Sequence, residues 1–318
     1  MIYLYNSKSF NPYYNLAIED YFVEYANRMG NCFILYFWQN ENTVVIGRNQ
    51  DAFCECNLDN LIKNNCFLAR RKTGGGAVFH DKNNLNFSFI VPKYAYDKKA
   101  SMEIIKDALN FLGFSAEISG RNDVLVEKCK CSGSAYLMRN NVILHHGTIL
   151  LDTNTELMVK LLNVKSEKLK SKGVTSVKNR VVNLKSINKT LDIEKVKNAI
   201  KLYFEQTYKA KCENFKPNIE KIKAIELFYA DELWIYGDKK FANIKCYDKK
   251  FDWGMCEIKI IKSDNKSFIK IYSDALNYEG VEKAEKLLNK YSDMKSLQSK
   301  NKIIVEIFEF YNEILALQ

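Results

Sequence analysis

Prolines, histidines and arginines are scarce in this 318-residue chain, which has three prolines, three histidines and seven arginines. No apolar run approaches the roughly 20 residues that a membrane-spanning helix requires. The first residues also lack the basic segment and apolar core of an export signal. We therefore expect a cytoplasmic protein with no membrane partner. With 47% hydrophobic and 27% charged residues, the composition is that of a globular protein long enough for two domains.

The net charge of +10 comes mainly from lysine. These lysines are spread along the chain, which is typical of a compositional bias and not of the clustered basic face of a nucleic-acid-binding protein. We expect no nucleic-acid partner. Nine cysteines without an export signal do not indicate a disulfide framework. The C-x-C pairs Cys54/Cys56 and Cys129/Cys131 lack a second pair at zinc-site spacing, so we expect no structural metal there.

The most unusual stretch is residues 70–86, RRKTGGGAVFHDKNNLN. A run of three glycines marks a turn with positive φ or a place where a ligand meets bare backbone. Free amides in such a loop can bind an anion, and Arg70 and Arg71 add fixed charge beside them. The alternation that follows, LNFSFIV, predicts a half-buried strand. A glycine loop that leads into a strand is not a P-loop, and a glycine-rich hairpin turn remains an alternative.

Alternating and helical hydrophobic patterns divide the rest of the chain into strands and helices. The pattern changes beyond residues 234–238, and we predict a domain boundary within 238–247, which gives domains over 1–240 and 248–318. The predicted elements are an amphipathic helix after Asn11-Pro12, strands at 32–38 and 43–46 joined by a turn at 39–42, helices at 97–113 and 192–208, a hairpin over 256–272, and helices at 280–292 and 302–316.

A second polar group follows the helix at 97–113. Asn122 and Asp123 enter one strand pattern, and Lys130 begins another that continues with the small residues 132–135. His145 and His146 lie in a third strand pattern and must point to opposite faces of it. An anion-binding loop, a cation and a carboxylate able to hold a divalent metal suit the attack of a carboxylate on the α-phosphate of a nucleotide.

Five strings occur in an order that resembles the lipoate-protein ligase A family. They are GRNQD, RRKTGGGAVFHD, GRNDVLVEKCKCSGSAY, HHGTILLD and KGVTSVKNRVVNL, and the resemblance extends over about residues 1–240. It implies an α/β (α+β) fold with a mixed, largely antiparallel sheet and flanking helices, as in biotin and lipoate ligases. The C-terminal α/β segment resembles the small accessory domain of that family.

The family resemblance also implies an activity. Lipoate and ATP, with Mg²⁺, would form lipoyl-AMP and pyrophosphate, and a lysine of a lipoyl carrier domain would then take the lipoyl group. The implied acceptor is the E2 subunit of a 2-oxoacid dehydrogenase or the H protein of glycine cleavage. The implied enzyme is a cytoplasmic monomer that performs both half-reactions.

The resemblance assigns roles to residues at matching positions. Lys130 would be the catalytic residue and would contact both the lipoyl carboxylate and the AMP phosphate. The implied ATP and AMP contacts are Arg71, Gly76, Ala77, Val78, Phe79, Asn122, Asp123 and Lys130, and the implied lipoate contacts are Arg48, Gly75, Gly76, His80, Lys130, His146 and Gly147. Asp123 would hold Mg²⁺, and Asn84 would lie near the pocket.

Two alternatives remain open at this stage. The same fold hosts octanoyl or lipoyl transferases that use a cysteine acyl intermediate, and Cys129 and Cys131 flank the proposed lysine. In those transferases the cysteine lies in the region of Arg121-Asn122-Asp123, where this chain has none. The second alternative is a lipoyl-domain-binding protein without catalytic activity.

Overall fold

The computed structural model describes residues 1–120, 122–163, 180–238, 241, 244–263, 266–275, 279–290 and 299–317. Arg121 and residues 172–179 of the fifth string lie outside the described residues. In the described part of the chain, no helix is both long and apolar enough to cross a membrane. The helices are α1 (Pro12–Met29), α2 (Ala52–Glu55), α3 (Leu58–Lys63), α4 (Lys98–Phe111), α5 (Thr155–Leu161), α6 (Leu184–Ile187), α7 (Ile193–Tyr208), α8 (Ile219–Ala230), α9 (Glu232–Tyr236), α10 (Glu279–Lys290) and α11 (Lys302–Ala316).

An eight-stranded mixed sheet forms the centre of the molecule, in the order β11-β1-β2-β6-β10-β9-β8-β7. Strand β1 pairs in parallel with β2 and β11, and the other neighbours are antiparallel. The predicted mixed, largely antiparallel sheet is therefore confirmed. Its strands are β1 (Ile2–Asn6), β2 (Phe33–Trp38), β6 (Asn84–Pro92), β7 (Ala116–Ser119), β8 (Asp123–Val126), β9 (Cys129–Arg139), β10 (Val142–Leu150) and β11 (Glu213–Asn214).

Helices cover both faces of this sheet. Apolar residues of α4 and α7, among them Ile105 and Phe204, pack on one face. Residues of α1 and α8, among them Phe22 and Ile222, pack on the other. Each of these helices begins at a side-chain cap: Asn11 caps α1, Asp97 caps α4 and Asp192 caps α7.

Strand β6 was predicted to be half-buried, and this prediction is wrong. All nine of its residues are buried, because β6 lies in the middle of a sheet that is covered on both faces. Its polar positions point into the molecule and are used there. Ser88, for example, donates to Glu19 on α1 and accepts from the Trp38 indole. The polar and apolar residues of β6 therefore alternate between two buried faces of the sheet, and neither face is exposed to water.

A second sheet carries the glycine loop. It has the order β4-β3-β5, with β3 (Thr43–Ile46), β4 (Phe67–Arg70) and β5 (Val78–His80). The strands predicted at 32–38 and 43–46 are present, but they belong to different sheets, so residues 39–42 are a crossing between sheets and not a hairpin turn. The short turn predicts that the strands at 32–38 and 43–46 pair with each other. Instead, β3 pairs with β4 and β5.

The C-terminal residues form a three-stranded antiparallel sheet with two helices on one face. Ile258 and Ile271 of the sheet pack against residues of α10 and α11, such as Leu288 and Ile307, in a separate apolar cluster. The predicted hairpin and the two predicted helices are present, and β12 precedes them. The strands are β12 (Cys246–Phe251), β13 (Gly254–Ser263) and β14 (Lys266–Ser273).

Candidate functional site

The glycine loop connects β4 to β5 on one side of a cavity. Gly75 has φ +90°, a conformation that favours glycine. The carbonyl of Gly75 approaches Gly47 so closely that a Cβ on Gly47 would collide with it. Glycine at both positions therefore allows the loop to pack closely against the end of β3.

Arg71 braces this loop from below. Its guanidinium donates to the Thr73 hydroxyl at 2.9 Å and to the carbonyls of Val45, Gly74 and Gly76 at 2.8–3.0 Å. Burial lowers the pKa of Arg71 to about 10, so the side chain stays charged at neutral pH. Three of its five N–H groups thus donate to the loop and a fourth donates to β3.

In a trans peptide each N–H points away from the preceding carbonyl, so the carbonyls of Gly74 and Gly76 that face Arg71 direct the amides of Gly75 and Ala77 away from it. In the described part of the chain, the amides of Gly74, Gly75 and Gly76 donate no hydrogen bond. A row of such amides is a good anion site. A phosphate contact from Arg71 itself would use its one remaining N–H, so the loop amides are the more available donors.

Across the cavity, Lys130 forms an ion pair with Asp123, with 2.7 Å between Nζ and Oδ1. An irregularity in the β8–β9 ladder places Gly133 opposite Asp123. A Cβ on Gly133 would lie 2.6 Å from the Lys130 Nζ. The missing side chain of Gly133 is therefore what lets the lysine lie flat along β9 and point its ammonium into the cavity.

Asn122 supports this pair from the start of β8. Its side-chain amide donates to the Ser134 carbonyl at 2.9 Å, and the Ser134 amide donates to the Asn122 carbonyl at 2.8 Å. These two bonds hold the end of β8 against β9. The Asp123 carboxylate is fixed beside Lys130 as a result.

His146, on β10, connects the glycine loop to α1. Its Nε2 lies 2.9 Å from the Thr73 hydroxyl, and its Nδ1 lies 2.9 Å from a carboxylate oxygen of Glu19. Thr73 in turn accepts from Arg71. A buried chain of hydrogen bonds thus runs from α1 to the loop. His145 lies on the opposite face of the strand, beside Ser101 of α4, as the sequence predicted.

His80 lies at the end of β5 in a buried position. Burial, with the positive charge of Arg71 close by, lowers the pKa of His80 to about 3. Its Nδ1 lies 3.1 Å from the Asn40 side-chain amide. His80 is therefore neutral at physiological pH and serves as a wall residue and not as a cationic ligand.

These walls enclose a cavity of about 650 Å³. The cavity brings together all but one of the residues that the family resemblance assigns to the site: Arg71, Gly75, Gly76, Ala77, Val78, Phe79, His80, Asn122, Asp123, Lys130, His146 and Gly147.

Arg48 is the exception, because it is exposed and does not line the cavity. The hydrogen bond from Lys286 lowers the pKa of Glu282 on α10, and the charge of Arg48 adds to this effect. Asn84 is buried and donates to Asn86, and only Asn86 reaches the cavity. A contact between Arg48 and lipoate stays a prediction.

The C-terminal sheet contributes a wall of the cavity that no sequence pattern predicted. The turn between β12 and β13 brings Asp252 and Trp253 to the cavity, and Asp274 follows from the end of β14. The Trp253 indole donates to Glu306 on α11 at 2.7 Å, which fixes the ring. About 120 residues separate this wall from Lys130, so no local pattern could have revealed it.

Cys131 directly follows Lys130 but lies on the other face of β9. It is fully buried in the apolar cluster beneath α4 and α7, and its thiol donates to the Val124 carbonyl. Burial raises the pKa of Cys131 to about 12. A thiol this protonated and this inaccessible cannot serve as the nucleophile of an acyl transfer.

Comparison with known proteins identifies one matching family model, the lipoyl protein ligase A/B catalytic domain, over residues 11–205. Two curated relatives are named lipoate-protein ligase A. The relative from Blochmanniella floridana is 38% identical over 89% of this chain and 86% of its own length. The relative from Psychrobacter cryohalolentis is 37% identical over 85% of this chain and 82% of its own length.

Solved structures show the same architecture. P. falciparum LipL1, solved in complex with lipoate, matches with a TM-score of 0.80 and 26% identity over 99% of both chains. A bi-partite lipoate protein ligase of Thermoplasma acidophilum, described with its E2 lipoyl domain, has a TM-score of 0.64 and 29% identity over 74% of this chain and 95% of its own. A lipoate-protein ligase A bound with ATP has a TM-score of 0.62 and 27% identity over 74% and 98%.

Proposed function

This chain belongs to the lipoyl protein ligase A/B catalytic-domain family, and from that premise we propose that it is an ATP-dependent lipoate–protein ligase. One observation carries the proposal: a single cavity has free loop amides on one wall and the Lys130–Asp123 pair on the other. A nucleoside triphosphate and a carboxylate can react only if both are held in one cavity, with donors for the phosphates on one side and a cation beside the reacting groups on the other.

In the first half-reaction, a carboxylate oxygen of lipoate attacks the α-phosphorus of ATP, and the bond to pyrophosphate breaks. We propose that Arg71 and the backbone from Gly76 to Phe79 hold the phosphates and the nucleotide, with the loop amides as the main donors. Lys130 would place its ammonium between the attacking carboxylate and the α-phosphate oxygens, where it offsets the repulsion of the two anions and the charge that builds up on the phosphate. Such preorganised charge is often the largest single contribution to catalysis.

Asp123 is the residue proposed to hold Mg²⁺. Its carboxylate faces the cavity and is 18% exposed, and Lys130 already shows that the position attracts a cation. Carboxylate oxygens suit Mg²⁺. A bound Mg²⁺ would neutralise charge on the phosphates. Asn122, which ties β8 to β9, would keep the carboxylate in place.

The lipoyl chain is proposed to lie beside the glycines. Gly76 has open space where a side chain would be, with no heavy atom within 4 Å of the position that a Cβ would occupy. This region of the wall is completed by Gly75, Gly147, His146 and the neutral His80. Arg48, which is exposed and does not line this cavity, stays a predicted contact from outside it.

In the second half-reaction, the ε-amine of an acceptor lysine attacks the carbonyl of lipoyl-AMP, and AMP leaves. We propose the lipoyl domain of an E2 subunit or an H protein as the acceptor, supported by the relative described with its E2 lipoyl domain. We further propose a cytoplasmic monomer. None of the nine cysteines forms a disulfide, which fits the reducing conditions of the cytoplasm.

The cysteine-based transferase is the second candidate, and the position of Cys131 speaks against it. The non-catalytic binding protein is disfavoured by the intact Lys130–Asp123 pair, which a protein that only binds lipoyl domains would not need.

The test is a mass-shift assay with the purified chain, lipoate, Mg-ATP and a purified lipoyl domain. We expect the lipoyl domain to gain the mass of one lipoyl group only when ATP is present, with release of AMP and pyrophosphate. A gain from an octanoyl-carrier thioester without ATP would favour the transferase. No gain from either donor would favour the binding protein.

A further inference from the structure

The C-terminal sheet packs against the segment that follows β3, on the face opposite its helices. Lys259 on β13 is fully buried there, and its Nζ lies 2.5 Å from an Asp51 carboxylate oxygen. The Ser273 amide on β14 donates to the Asn49 carbonyl at 2.8 Å. This buried contact, which we call the junction, joins the C-terminal sheet to the short helix α2.

Three metal-ligating side chains meet in the junction. The Sγ atoms of Cys54 and Cys246 and a carboxylate oxygen of Glu257 all lie within 4.8 Å of one another. Cys54 comes from α2, Cys246 from β12 and Glu257 from β13. In the β12–β13 ladder Cys246 lies opposite Lys259, on the face that Glu257 shares. The three side chains therefore converge from separate elements and not by closeness in sequence.

Both thiols contact carboxylate oxygens. The Cys54 thiol donates to Asp51 Oδ2 at 3.2 Å, and the Cys246 thiol lies 3.9 Å from Glu257 Oε2. Two sulfur atoms and a carboxylate oxygen within 4.8 Å of one another can share a single cation.

We propose that Cys54, Cys246 and Glu257 form a zinc-binding site at the junction. Thiolate and carboxylate ligands in a tetrahedral set suit Zn²⁺ better than the harder Mg²⁺. The fourth position is left for a water molecule, because the Asp51 carboxylate beside Cys54 is already paired with Lys259. The site is separate from the cavity, because none of its three ligands lines the cavity wall.

The site has a structural consequence. Zinc would tie α2 to the sheet whose β12–β13 turn brings Trp253 to the cavity. Structural zinc sites add their binding free energy to folding. Zinc would therefore hold the C-terminal wall in place without contacting any substrate.

The experiment uses the full chain, reduced with a phosphine, stripped with a chelator and desalted. Zn²⁺ or Co²⁺ is then added, and bound metal is measured by elemental mass spectrometry after a second desalting step. We expect one equivalent of either metal, a thiolate-to-cobalt charge-transfer band, and a higher Tm with Zn²⁺. The variants Cys54→Ser, Cys246→Ser and Glu257→Gln should each bind at least about tenfold more weakly, since even the loss of an outer-shell partner has this effect.

Cys66→Ser is the matched control, because Cys66 is a partly buried thiol bonded to a backbone carbonyl outside the junction. It should bind metal as the wild type does. The proposal is overturned if the wild type retains no metal, if cobalt binds without the charge-transfer band, or if Cys66→Ser loses as much metal as Cys246→Ser. A Cys54–Cys246 disulfide in the isolated protein, seen as the loss of two hydrogens, would also overturn it. Glu257→Gln leaves both thiols in place, so the test does not depend on cysteine variants that fail to fold.

Discussion

At the scale of single residues, the site depends on where side chains are missing. Gly133 leaves the volume that the Lys130 ammonium occupies, and Gly147 leaves the volume that the Phe87 ring occupies. Gly76, by contrast, faces open space. The three glycines thus differ in what a side chain would meet. Substitution by alanine should therefore have a different effect at Gly133 and at Gly76.

Gly133→Ala should impair lipoyl-AMP formation with little loss of stability. The new methyl group would displace only the flexible end of Lys130, so the fold can adapt, but the ammonium would leave its position beside Asp123. Misplacement by about an ångström can cost about 10²-fold in rate. Single-turnover formation of lipoyl-AMP and a urea unfolding curve measure the two effects. A variant with normal adenylation would show that Lys130 does not need this position.

Gly76→Ala is the matched variant. Its methyl group meets no protein atom, so the free energy of unfolding should be unchanged or rise by up to about 1 kcal/mol. If the space belongs to the lipoyl chain, KM for lipoate should increase. An unchanged KM for lipoate and for ATP would place both ligands elsewhere in the cavity.

Twelve of the thirteen residues that the resemblance assigns to ATP, AMP or lipoate line the cavity, because most of them lie in compact strings that the fold brings face to face. The resemblance assigned Arg71 to phosphate, although four of its five N–H groups donate to protein oxygens. It also assigned Arg48 to lipoate, and a Gly-Arg step after a strand does not reveal which way the turn directs the side chain. Side-chain direction in turns is set by tertiary contacts, and these leave no local pattern.

At the scale of elements, the junction joins the C-terminal sheet to the cavity wall. Lys259 and Asp51 form a buried ion pair there, and Asp51 also caps α2 by accepting from the Phe53 amide. Neither role was visible in sequence, since a lone lysine between apolar residues of β13 resembles a solvated position. The fold buries Lys259 because the segment that follows β3 covers the face of the sheet opposite its helices.

Lys259→Met should destabilise the protein strongly. The substitution leaves the Asp51 carboxylate buried without its cation, and breaking such a pair costs about 3–5 kcal/mol. Urea denaturation measures the loss. The double variant Asp51→Asn/Lys259→Met should recover part of it, because no buried charge remains. A single-variant loss below about 0.5 kcal/mol, the usual range for a surface position, would contradict the buried pair.

At the scale of the whole molecule, two buried histidines make stability depend on pH. Burial lowers the pKa of His80 to about 3 and that of His145 well below the ordinary histidine value of 6.5. Below pH 6.5 the unfolded chain binds protons at these positions while the folded chain does not, so stability is fully present above pH 6.5 and is lost as pH falls towards 3. Each group contributes a slope of about 1.4 kcal/mol per pH unit in this window.

The free energy of unfolding should accordingly decrease from about pH 6.5 to about pH 5.5, and His145→Gln should remove about 1.4 kcal/mol per pH unit from the slope. His145 lies outside the cavity, between Tyr136 and Ser101, so the variant tests folding alone. Equal slopes in wild type and variant would mean that His145 titrates normally in the folded protein.

The cavity is lined by residues from both the N-terminal sheets and the C-terminal sheet. The individual strands and helices follow the sequence patterns, yet Asp252, Trp253 and Asp274 of the cavity wall come from the C-terminal sheet. Contacts between parts of the chain so distant in sequence depend on the docking of whole units. Periodicity of hydrophobic residues, which predicts single elements, does not carry this information.

The central claim is that Lys130 drives the activation of lipoate by ATP. Lipoate-dependent exchange between ATP and labelled pyrophosphate tests it most directly, in the wild type and in Lys130→Ala. We predict exchange in the wild type only when lipoate is present, and a decrease of about 10²-fold or more in the variant, with an unchanged unfolding curve. Near-normal exchange in Lys130→Ala, or no lipoate-dependent exchange in the wild type, would contradict the account.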